Sequence, residues 1–146
     1  MKYRKILFNL LPKPGNVMAK KQKYQFEFLI NVSPAMLYQY LTSPSALAQW
    51  FADDVVFRGG NYVFIWGDTK EKAKLARQKK NEYVRFQWLD AEGNKTDYFT
   101  EFRIMVDDLT DDVSLLVTDF SDDGEEETQL LWENMIDDLR HILGVH

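Results

Sequence analysis

Between residues 125 and 143 the apolar positions Trp132, Met135, Ile136, Leu139, Ile142 and Leu143 recur at offsets of three and four, while Glu133, Asn134, Asp137, Asp138 and Arg140 fall on the other side. That spacing predicts a long amphipathic helix with one bulky face. Acidic residues Asp122, Asp123, Glu125, Glu126 and Glu127 crowd its start, where free N–H groups favour negative charge. Arg140, His141 and Gly144 mark its end.

Upstream the period changes from three and four to two. Tyr24, Phe26, Phe28, Ile30 and Val32 alternate with Gln25, Glu27, Leu29 and Asn31, the pattern of a half-buried strand. Ser33-Pro34 and Ser43-Pro44 each read as an N-cap followed by proline at the first helical position, which predicts short helices over 35–41 and 45–50. β-branched and aromatic runs predict strands at 55–57 and 61–66, joined by Arg58-Gly59-Gly60-Asn61 as a hairpin turn. Further strands are expected at 83–89, 95–106 and 113–120. The segment 69–80, TKEKAKLARQKK, has the composition of a helix, yet Ala73, Leu75 and Arg77 alternate with Lys72, Lys74 and Ala76. A strand there continues the meander without a crossover.

Composition narrows the chemistry. The chain has 146 residues, 45% of them apolar and 14% aromatic, enough for one domain with a sizeable core. A net charge of −5 argues against a general nucleic-acid binder, although basic residues cluster at 20–23 and 70–80. With no cysteine there is no disulfide framework, thiolate nucleophile or Cys-ligated metal, and a reducing, cytoplasmic setting is compatible. No apolar run approaches the about 20 residues of a membrane-spanning helix. Residues 1–23 read as an N-terminal extension before a domain at 24–146, with Met18 as a candidate start and Leu7, Phe8, Leu10 and Leu11 loosely docked or disordered. Metal binding and cofactor chemistry find no motif: Asp122-Asp123-Gly124 lacks the alternating oxygens of a calcium loop. His141 on the last helical turn and the terminal His146 do not suit a Ser–His–acid relay.

The order of strand, two short helices, antiparallel sheet and long final helix resembles the helix-grip fold of the START-like, or SRPBCC, superfamily. Three stretches carry the likeness: Ser33-Pro34 followed by Leu37-Tyr38 and Leu47-Ala48-Gln49-Trp50-Phe51; Gly59-Gly60-Asn61-Tyr62-Val63-Phe64; and Leu131-Trp132-Glu133-Asn134-Met135-Ile136-Asp137-Asp138-Leu139. Within the superfamily the chain looks like the group of activators of heat-shock-protein-90 ATPase, most like small Bacteroidetes proteins. The resemblance covers about residues 24–144 and implies an α+β fold: a six- to seven-stranded antiparallel sheet, two short helices after strand one, and the C-terminal helix across the concave face.

It also implies a pocket between sheet and helix. Lining candidates are Trp50, Tyr62, Phe64, Trp66, Phe86, Trp88, Tyr98, Phe102, Trp132, Met135 and Leu139. Such walls suit a hydrophobic small molecule or lipid, held without catalysis. Alternatively the same side chains fill the core and the domain serves a chaperone or other protein partner. A cyclase- or dehydratase-like enzyme is the third reading, with Tyr62, Arg85, Tyr98 and Thr100 as its nearby polar groups.

Overall fold

The computed structural model describes residues 20–145. The expectations for residues 1–17 and for Met18 lie outside that range. Among the described residues the order is β1 (Gln22–Leu29), α1 (Pro34–Thr42), α2 (Pro44–Trp50), β2 (Asp54–Arg58), β3 (Asn61–Trp66), β4 (Thr69–Lys79), β5 (Tyr83–Leu89), β6 (Lys95–Val106), β7 (Val113–Ser121) and α3 (Glu125–Leu143). The strands form one antiparallel sheet in the order β1-β7-β6-β5-β4-β3-β2.

Local chemistry sets each boundary. The Ser33 hydroxyl accepts from the Met36 N–H at 3.1 Å and Pro34 opens α1. Pro44 forces Ser43 into an extended conformation (ψ 126°), so this residue ends α1 and starts α2. Gly59 and Gly60, at φ 62° and 84°, form the two-residue turn between the paired Arg58 and Asn61. β1 starts two residues before the predicted strand and ends at Leu29. Beyond it Ile30 still donates its N–H to Val113 O at 2.8 Å, and Val32 donates back to Ile30 O.

The ambiguous segment is strand, pairing with β3 and β5. Its alternation does not run through, because the register shifts between Leu75 and Arg77. Ala73 and Leu75 are paired with the inward Trp88 and Phe86, whereas Arg77 lies opposite Arg85. The bulge therefore turns Arg77 to the outer face, where the simple alternation had grouped it with the inner side chains.

α3 packs Thr128, Trp132, Met135, Ile136 and Leu139 against the inner face of the sheet. Ile142 and Leu143, at its end, are half-buried. Gly144, at φ 75°, caps the helix, and Val145 donates its N–H to Arg140 O at 3.0 Å. The core is continuous: Leu37 and Leu41 of α1, Leu47 and Trp50 of α2 and Leu115 and Val117 of β7 join the same cluster.

Candidate functional site

Alternation along β3, β5 and β6 directs Tyr62, Phe64 and Trp66, Phe86 and Trp88, and Thr100 and Phe102 to the face gripped by α3. Ala73 on β4 separates Tyr62 from Trp88 in one cross-strand row. A small residue there leaves room for larger neighbours on both sides. Ten of the eleven predicted lining residues are buried: Trp50, Phe64, Trp66, Phe86, Phe102, Trp132, Met135 and Leu139 at 0% exposure, Trp88 at 5% and Tyr62 at 7%.

Their rings touch. Tyr62 and Phe86 are 5.0 Å apart between centroids, Phe64 and Trp88 5.4 Å, Trp50 and Phe102 5.7 Å, and Phe102 and Trp132 5.8 Å, mostly edge to face. Phe51, absent from the predicted set, sits at the hub, its centroid 5.2 Å from Phe64, 5.7 Å from Trp66 and 6.0 Å from Trp132. It lies just past α2, outside any periodic run, so no spacing rule points to it.

Tyr98 stands apart. Gln87 pairs with Phe99 but Leu89 pairs with Lys95, so β6 carries extra residues where Tyr98 falls and alternation no longer sets its direction. Gln87 Nε2 donates to Thr96 O and Tyr98 O, both at 2.7 Å, and stitches this bulge. The Tyr98 ring packs 5.4 Å from Phe120, and its hydroxyl oxygen accepts from the Lys21 N–H at 3.4 Å. Arg85 is on the outer face, where its Nε donates to Glu101 Oε1 at 2.9 Å.

Polar atoms converge at one point of the inner wall. Asp119 is fully buried; its Oδ1 accepts from Thr100 Oγ1 at 2.9 Å and its Oδ2 from Trp132 Nε1 at 3.0 Å. Thr100 Oγ1 accepts in turn from Trp88 Nε1 at 2.9 Å. β7 reads Val113, Leu115, Val117, Asp119 with period two, so the inward aspartate was visible in its alternation. The remaining indoles also have partners: Trp50 Nε1 donates to Tyr40 O at 2.9 Å and Trp66 Nε1 to Phe51 O at 3.0 Å. Tyr62 donates its hydroxyl to Thr42 O at 2.7 Å, and burial, with Tyr38 nearby, holds its phenol above the usual range.

His141 is exposed on the last turn of α3. Among the described residues no group of three or more His, Cys, Asp or Glu side chains could hold a metal, and no helix is long and apolar enough to cross a membrane.

Residues 18–145 match the model of the START-like superfamily domain. No curated protein matches the chain. Among solved structures, a Bacteroides fragilis protein is 31% identical, with 86% of this chain and 93% of that one covered and a TM-score of 0.57. The Aha1 dimer from Colwellia psychrerythraea is 16% identical over 82% of this chain and 93% of that one, with a TM-score of 0.64. DynU16, from the dynemicin biosynthetic locus, is 15% identical over 84% of this chain and 47% of that one, with a TM-score of 0.63. The last two likenesses speak to fold.

Proposed function

The chain belongs to the START-like superfamily, and from that membership we propose that it binds a hydrophobic small molecule or lipid between the inner face of the sheet and α3, without converting it. The observation that supports this is the polar cluster of Asp119, Thr100, Trp88 and Trp132 set into an otherwise aromatic wall. Apolar walls with a few convergent polar groups are how proteins hold small apolar molecules and orient them. A buried carboxylate costs free energy unless it is well partnered, and the hydrogen bonds from Thr100 and Trp132 hold this one in the wall.

Native mass spectrometry of protein purified gently from its own source tests the reading. A reproducible apolar adduct is the expected result and names the chemical class of the ligand. A bare mass under several mild conditions sinks the proposal.

The ring-to-ring contacts favour a second reading, in which the aromatic side chains complete the core and the domain acts through its surface on a protein partner, the role implied by the resemblance to ATPase activators. The two differ in what a vacated Trp132 position does to an apolar probe.

A further inference from the structure

We propose that the outer face of the sheet, from β2 to β6, is a docking surface for an extended acidic segment of a partner protein, separate from the inner wall. α3 packs on the opposite, inner face, and α1 and α2 join the same core. On the outer face the register brings Arg58, Lys70, Lys72 and Lys74 to one end of the sheet, all exposed. None of the four has an ion pair among the described residues. Arg58, Lys70 and Lys72 border a groove of about 630 Å³ whose apolar floor is Val56, Val63 and Ile65.

Further along the same face, on β5 and β6, two guanidinium groups are already held in place. Arg85 is bonded through Nε to Glu101 and lies 3.9 Å from the Phe99 ring centroid. Arg103 Nε is 3.6 Å from the other oxygen of Glu101, and its guanidinium lies 4.5 Å from the Tyr83 centroid. The Nη atoms of both make no hydrogen bond among the described residues. One carboxylate anchored against two stacked arginines leaves a net positive, pre-set fork of the kind that binds a carboxylate bidentately. The β4 bulge adds Arg77 opposite Arg85.

Geometry and charge select the partner. Residues on one face of a strand repeat every about 6.6–6.8 Å, so Lys70, Lys72 and Lys74 form a ladder with the pitch of an extended peptide bearing carboxylates at alternate positions. A nucleic acid fits less well: Asp54 lines the groove, Glu101 sits among the arginines, and the chain as a whole carries −5.

The test is fluorescence anisotropy of the whole chain with a labelled Glu-Val repeat peptide, alongside a Lys-Val repeat and a single-stranded oligonucleotide. The acidic peptide should bind, and its affinity should fall about tenfold or more as salt rises from about 50 to about 300 mM. Lys70→Glu/Lys72→Glu/Lys74→Glu should lose about tenfold in affinity with an unchanged circular dichroism spectrum, and Glu133→Lys on α3 should lose none. Should the triple variant fail to fold, Arg58→Glu provides the same reading at a turn. Absence of binding at low salt, equal binding by a folded charge-reversed variant, or tighter binding of the oligonucleotide each overturns the proposal.

Discussion

Trp132 joins the two halves of the inner wall: its ring packs on Phe51 and Phe102 and its N–H holds Asp119. Trp132→Ala should lower unfolding free energy by about 3–5 kcal/mol in urea titrations. If the wall encloses a ligand, affinity for an apolar fluorescent probe falls as well in the folded mutant; probe binding equal to that of the unmodified chain counts against the site. Two acids offer a check of opposite sign. Asp107 Oδ1 accepts from the N–H groups of Leu109 and Thr110 at 2.8 and 2.9 Å, and these bonds hold its carboxyl below the usual range. A depressed carboxyl stabilises the fold above its ordinary pKa, and that contribution is lost as pH falls through the folded value. Asp107→Ala should therefore be less stable at neutral pH, and the difference should shrink in strong acid. Burial, with Asp122 and Glu127 nearby, raises the Asp123 carboxyl, so its ionised form opposes folding above the folded pKa and the penalty is relieved as pH falls. Asp123→Asn should raise the melting temperature at pH 7 and change it little in acid.

At the scale of elements, the strong periods were readable. The 19 residues of α3, the proline-punctuated pair α1 and α2, and the Gly59-Gly60 turn follow from local chemistry that tertiary context did not need to override. What periodicity could not deliver lies at the two bulges. Composition pulled 69–80 toward helix, and its alternation breaks at Ala76; Tyr98 sits where β6 gains residues against β5. A bulge is a property of two paired strands, so one strand's residues do not announce it. Deleting Ala76 should remove the offset and leave a regular ladder, with Leu75 inward opposite Phe86 and Arg77 and Lys79 still outward opposite Arg85 and Tyr83. The expected cost is about 1 kcal/mol or less, read as a nearly unchanged urea midpoint, because no charge is moved into the core. Ala76→Gly, which keeps the count, should cost about 1 kcal/mol or less.

Across the whole molecule the sheet divides two chemistries. Aromatic rings and a buried carboxylate occupy the inner side; the outer side carries lysines and arginines, the Glu101 carboxylate between two of them, and the apolar floor of Val56, Val63 and Ile65. The seven strands are contiguous in the chain except at one place: β1 pairs with β7, Gln22 opposite Ser121, while its next neighbours in sequence are helices. A ribosome making this chain therefore releases β1 well before its sheet partner β7. At typical synthesis rates the interval is roughly 5 to 20 s. Throughout it Phe26 and Phe28 have no sheet to close on, and α3, which grips the inner face, emerges later still. Nascent chains should stay sensitive to protease until α3 has cleared the exit tunnel, then become resistant in one step.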